Sequence, residues 1–180
     1  RSSDLDLACK GVGPNPGQMC VVPGHQIAEM AMARLYLATG QQRYLDFAKF
    51  LLDYRGKTTI KTEYSQSHLP VIRQNEAVGH AVRAAYMYAG MADVAALTGD
   101  KDYIKAIDAI WDNIVTKKLY ITGGIGATSN GEAIGKNEGI LAEMQKTPEY
   151  KARVAGYKEF LSPTKPSAEI EIGRAVQQEC

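Results

Sequence analysis

Thr39-Gly-Gln-Gln-Arg-Tyr44-Leu45 and Thr98-Gly-Asp-Lys-Asp-Tyr103-Ile104 are one turn written twice, 59 residues apart. In each, Gly follows the last helical residue, where the left-handed cap conformation favours it. The apolar pattern then restarts within five residues. Before the first turn, Ile27, Met30, Ala31, Leu35 and Ala38 keep helical spacing; after it, so do Tyr44, Phe47, Ala48, Leu51 and Leu52, as far as Arg55-Gly56. Around the second turn the stripes are Val78, Ala81, Val82, Ala85, Ala89, Ala92 and Ala96, then Tyr103, Ile104, Ile107, Ile110, Trp111 and Ile114. These periods predict two helical hairpins whose apolar faces look inward. The small residues before Thr98 suit a helix whose neighbours approach closely.

Each hairpin opens on the same dipeptide, Gly24-His25 and Gly79-His80. A repeated helical hairpin predicts a mainly α protein, either a solenoid or a closed barrel of helix pairs. In a barrel, the loops carrying both histidines meet at one mouth. Two repeats cannot close such a ring, so a fragment is the simplest expectation.

Outside the hairpins the reading is coarser. Residues 1–19 contain Gly11-Val-Gly-Pro-Asn-Pro-Gly17 and are expected to be an irregular lead-in. Lys57–Ser67 is a polar connector. Leu119-Tyr-Ile-Thr-Gly-Gly-Ile-Gly126 has three glycines in four positions and reads as a loop with close backbone approaches. Thr147-Pro148-Glu149 starts a further helix, with Pro at the first helical position.

A net charge of +1 with no basic run gives no sign of a nucleic-acid partner, and no apolar segment is long enough to span a membrane. Arg1 opens the chain without Met, so the sequence leaves a cytoplasmic or a periplasmic or secreted location equally open. Oligomeric state is not legible either. Cys9, Cys20 and Cys180 are three cysteines without C-x-x-C spacing. Two ordinary thiols at Cys9 and Cys20 are expected over a disulfide, and four clustered metal ligands are absent, so no metal site is expected in this chain.

The chemistry-bearing residues sit at junctions. His25, His68 and His80 are the only histidines, and His25 and His80 precede helices whose N-terminal field favours a neutral imidazole able to bind a sugar hydroxyl. Glu132 follows Gly131 on the glycine-rich loop; on the residues alone an exposed loop glutamate is the plainer reading, while enclosure by Ile125 and Ile134 would suit its carboxyl to general-acid duty. Glu76 and His80, four apart, are expected to form a structural hydrogen bond. Gly123-Gly-Ile-Gly126 lacks the Gly-Lys-Ser/Thr ending of a phosphate loop.

Seven segments in order resemble one family: Val22-Pro-Gly-His-Gln26, Tyr44-Leu-Asp46 with Arg55-Gly56, His68-Leu-Pro-Val71, Glu76-Ala-Val-Gly-His-Ala-Val-Arg83, Trp111-Asp-Asn113, Tyr120-Ile-Thr-Gly-Gly-Ile-Gly126 and Gly131-Glu-Ala133. They are similar to the catalytic domain of glycoside hydrolase family 127, the β-L-arabinofuranosidases. The resemblance runs from about Val22 to Asn137. It implies an (α/α)6 barrel, here incomplete, that releases β-linked L-arabinofuranose from plant-derived glycans with retention. It also implies that Glu132 is the acid/base and that His80, His25 and His68 line the sugar site. The family's nucleophile is a zinc-held cysteine, so zinc is implied for the complete enzyme. No cysteine lies between Cys20 and Cys180, and the family's Glu-Thr-Cys motif does not follow Gly131-Glu-Ala133, so the chain alone is expected to be inactive.

The resulting division is a lead-in (1–19), a partial barrel (20–137), a helical segment without assigned origin (138–170) and a tail (171–180) that resembles translated sequencing-adapter sequence. Two alternatives stay open on the residues. A sugar epimerase or isomerase would need His25 and His80 within about 10 Å of each other to flank one substrate. A non-catalytic helical repeat would scatter His25, His80 and Glu132 over separate surfaces.

Overall fold

A computed structural model describes residues 2–120, 122–125, 128–135 and 140–160; the proposed tail at 171–180, with Cys180, lies outside them. Among the described residues the protein is mainly helical and has no strand, only two isolated bridges. The helices are α1 (Ser2–Gly11), α2 (Ala28–Thr39), α3 (Gln42–Arg55), α4 (Ala81–Thr98), α5 (Lys101–Asn113), α6 (Ile140–Met144) and α7 (Pro148–Phe160). Helix α2 packs on α3 and α4, and α4 packs on α5, so the two hairpins lie side by side.

The duplicated turn is duplicated in atomic detail. Gly40 and Gly99 take φ of 68° and 67°, and their N–H groups donate to Tyr36 O and Ala95 O. Thr39 Oγ1 and Thr98 Oγ1 each bond the carbonyl four residues back, and each then accepts from the N–H two residues on. The repeat also fixes how the hairpins meet, because Arg34 pairs with its own repeat mate, Asp93, through two 3.0 Å contacts. Asp100 additionally caps α5 by accepting from Asp102 N and Tyr103 N.

Three expectations need correction. Residues 1–19 are not wholly irregular, since α1 occupies Ser2–Gly11 and sets Leu5 and Cys9 against the core. The irregular backbone is confined to the turn after α1, where Gln18 bonds Cys9 O and Lys10 O at the helix end. The inward faces of α2 and α4 are also rotated from those predicted. Met32 and Ala33 of α2 are buried while Ile27, Ala31 and Ala38 are exposed. In α4 the buried set is Ala84, Met87, Tyr88, Gly90, Met91, Val94 and Ala95. Alanine gains little from burial, so Met87, Met91 and Val94, worth roughly 1.5–3 kcal/mol for each large side chain, set the face. The stripe of α3 is as expected, whereas α5 buries Tyr103 and Ile110 but leaves Ile104 and Trp111 exposed.

Finally, Glu76 does not bond His80. Helix α4 begins at Ala81, so the two are not helical neighbours, and Glu76 pairs instead with Lys118 at 2.9 Å.

Candidate active site

His80 is the N-cap of α4, and its Nδ1 accepts from Arg83 N at 3.4 Å. That bond requires a bare Nδ1, so the ring proton resides on Nε2. His80 Nε2 then donates to Glu132 Oε2 at 2.8 Å. The contact is built by the backbone. Residues 79–81 and 132–134 run antiparallel, with Ala81 N donating to Glu132 O (2.9 Å) and Ile134 N donating to Gly79 O (2.7 Å).

Glu132 itself has φ +49°, directly after Gly131 at +65°. A left-handed non-glycine residue is uncommon and often marks a functional position. The turn aims the carboxyl at His80 and leaves the rest of it open. Its side chain is 73% exposed, as an exposed loop glutamate would be, and Ile125 and Ile134 do not enclose it: Ile134 turns into the core and Ile125 packs against it.

His25 and Tyr64 complete the cluster. Both rings meet the His80 ring edge-on, with centroids 6.2 and 5.5 Å away. Arg83 lies over the Tyr64 ring at 4.9 Å and donates to Gly24 O at 2.7 Å, which ties the two hairpin entrances together. His25 is exposed and His80 buried, because the entrances are not in register. The Gly-His pairs are 55 residues apart and the turns 59, and α4 is 18 residues long against 12 for α2.

Tyr64 was not singled out by the sequence, and the reason lies beneath it. Gln26, Gln66 and Gln74 are fully or almost fully buried, and Gln66 has φ +52°. Gln26 Nε2 donates to Gln66 Oε1 and Ser65 O, Gln66 Nε2 to Val78 O, and Gln74 Nε2 to Gln66 O and Leu69 O. This amide network shapes the polar connector that presents Tyr64. Gly79 is required at the same junction. It has φ +75°, and a Cβ there would lie 1.8 Å from Glu63 O. Gly79→Ala should therefore lower the unfolding free energy by about 2 kcal/mol or more, from left-handed strain and the forced shift of the connector. A urea denaturation midpoint checks this.

The contacts that join His25, Tyr64, His80 and Glu132 do not include His68. It lies beside the connector, where burial lowers its pKa while Glu63 and Glu76 act in the opposite direction, and its Nδ1 is buried without a hydrogen-bond partner. The residues do not fit the zinc centre that the resemblance implies. Among the described residues no three His, Cys, Asp or Glu groups are placed to hold a metal, and Cys9 and Cys20 are free thiols. Cys20 Sγ turns to Gly13 O.

Convergence of His25, His80 and Glu132 is the opposite of the scatter expected for a non-catalytic repeat. The distance between His25 and His80 does not by itself disfavour an epimerase. Comparison with known proteins does. The sequence matches the model of the β-L-arabinofuranosidase GH127 catalytic domain over residues 5–155. The chain belongs to the GH127 family. This GH127 match extends beyond Val22–Asn137 at both ends. A relative, the non-reducing end β-L-arabinofuranosidase of Bifidobacterium longum subsp. longum, is 37% identical over 142 residues, 67% of this chain and 22% of the relative. A solved GH127 β-arabinofuranosidase is 67% identical with a TM-score of 0.71, covering 73% of this chain and 21% of that one. The GH127 β-L-arabinofuranosidase Ara127N-Se of Geobacillus stearothermophilus T6 is 35% identical with a TM-score of 0.68, covering 73% and 24%. The chain thus spans about a fifth to a quarter of the length of these GH127 relatives.

Proposed function

We propose that this chain forms one side of the catalytic barrel of a β-L-arabinofuranosidase, an incomplete (α/α)6-type barrel. In the complete enzyme it would release β-linked L-arabinofuranose from plant-derived glycans, with Glu132 as acid/base. The observation that carries this reading is the 2.8 Å contact from His80 Nε2 to Glu132 Oε2, made on a strained left-handed turn. His80 fixes one carboxyl oxygen, and Oε1 is left to give its proton to the glycosidic oxygen as the bond to the anomeric carbon breaks. His25, beside His80 and exposed, would meet the sugar; His68 would reach it only from the neighbouring connector.

The second partner of the reaction has no counterpart among the described residues. Retaining glycosidases pair an acid/base with a nucleophile on the other side of the sugar. Neither Cys9 nor Cys20 takes part in the Glu132 cluster, and among the described residues no zinc ligand set accompanies them. The exposure of Glu132 accords with a site whose opposite wall comes from elsewhere in the barrel.

The test is hydrolysis of 4-nitrophenyl β-L-arabinofuranoside. The complete enzyme containing this segment should turn it over, and the 180-residue chain alone should not. Turnover by the isolated chain that depends on Glu132 would overturn the half-site reading. Failure of the complete enzyme on this substrate would overturn the substrate class.

A further inference from the structure

We infer that Lys118 is a positioning residue for the Glu132–His80 pair, a role that rests on the acid/base reading of Glu132. Lys118 is buried, with 4% of its side chain exposed. Burying an ammonium group is costly, and at a purely packing position leucine or methionine would serve better. The charge is directed at two specific acceptors. Lys118 Nζ donates to Glu76 Oε1 at 2.9 Å and to Gly135 O at 3.2 Å.

Those acceptors lie just beyond the two segments that build the site. Glu76 precedes Gly79-His80-Ala81, and Gly135 follows Glu132-Ala133-Ile134, so Lys118 closes the far end of the antiparallel pair whose near end holds His80 on Glu132. The pair has only two backbone hydrogen bonds of its own, Ala81 N to Glu132 O and Ile134 N to Gly79 O. An isolated bridge that short needs outside support. A second tie, donated by Ala77 N to Asn113 Oδ1 at 3.0 Å, is anchored on the same end of α5.

The lysine ends an irregular turn. After Asn113 the helix widens over Ile114–Lys118 to five-residue spacing, with Leu119 N donating to Ile114 O at 2.9 Å. Ile114, Val115 and Lys118 are the buried residues of this widened segment. Such widened turns occur frequently at functional sites. Here the widened turn ends on a buried cation that bonds Gly135 O, three residues after Glu132.

The experiment compares Lys118→Met, Lys118→Arg and Glu76→Gln. In the 180-residue chain, hydrogen exchange of the Ala81 and Ile134 amides should accelerate roughly tenfold or more in Lys118→Met, as expected on losing hydrogen bonds from a buried charge. The core amides of Met91 and Ile110 should keep their rates within about twofold. Glu76→Gln keeps the bond to Gly135 O and should accelerate the same two amides only about threefold, and it serves as the decisive variant where Lys118→Met does not fold. In the complete enzyme, Lys118→Met should lower kcat roughly tenfold with KM changed less than about twofold, and Lys118→Arg should recover most of it. Equal acceleration of all amides, or none at Ala81 and Ile134, would overturn the positioning role. Unchanged kcat in Glu132→Gln would overturn the acid/base reading while leaving the local exchange effect standing, so the two failures are distinguishable.

Discussion

Replacing Glu132 by Gln in the complete enzyme should lower kcat on a natural β-L-arabinofuranoside by about 10²–10⁴-fold, the range that a positioned acid or base contributes. The carboxamide has nearly the shape of the carboxyl group, and its oxygen can still accept from His80 Nε2. The left-handed turn at φ +49° and the two backbone bonds to Gly79 and Ala81 therefore have no reason to change. What the amide cannot do is deliver a proton to a leaving oxygen. KM should consequently stay within a few-fold, because the loss falls on the transition state and spares ground-state binding. The leaving group supplies an internal control. A nitrophenolate departs without protonation, so the step that breaks the glycosidic bond should be slowed far less for the aryl substrate than for the natural glycan. A variant that retains more than about a third of its kcat on the natural substrate would remove Glu132 from the acid/base role. Steady-state kinetics on both substrates decide it.

Much of the architecture was legible because it is governed by short-range chemistry. Thr-Gly turns and the large side chains of α3 are local signals, and the two hairpins follow from them. The faces of α2 and α4 were not legible, because alanines sample every direction of the helix and carry little burial energy to distinguish one from another. Helix α1 was hidden by the Gly and Pro content just after it, although Leu5 and Cys9 already stand four residues apart. In the site, His80, His25 and Glu132 each stood out locally, but their meeting joins residues 52 or more apart, which spacing alone cannot reveal. Tyr64 and Lys118 gave no signal: an exposed tyrosine and a lysine at the end of a helix are ordinary until the folded connector presents the one and the packing buries the other. Buried glutamines carry the connector for the same reason, since their hydrogen-bond partners are mostly backbone atoms supplied only by the folded chain.

The largest stability effect is expected at Glu29 and Arg55, which face each other in the interior. Arg55 Nη2 donates to Glu29 Oε1 at 2.9 Å, and the two side chains are 2% and 0% exposed. Arg55→Met strands a buried carboxylate and Glu29→Leu strands a buried guanidinium, so each should lose about 3–5 kcal/mol in urea unfolding. The double variant Glu29→Leu/Arg55→Met removes both charges and should recover most of that loss. Recovery is favoured because the native pair is incompletely satisfied: Glu29 Oε2 and Arg55 Nε are buried without partners. Single variants within about 1 kcal/mol of the parent, or a double variant equal to the sum of the two losses, would show that the charges are not coupled. The pair also has a consequence at the site that stability alone does not report. Arg55 Nη1 donates to Pro23 O at 3.0 Å, two residues before His25. A hydrophobic replacement can restore the energy of the core without restoring that bond. The double variant should therefore fold well, yet exchange the His25 and Gln26 amides faster than the parent. That outcome would identify the buried charge as a device for placing the entrance to α2, at a net cost or gain in stability close to zero.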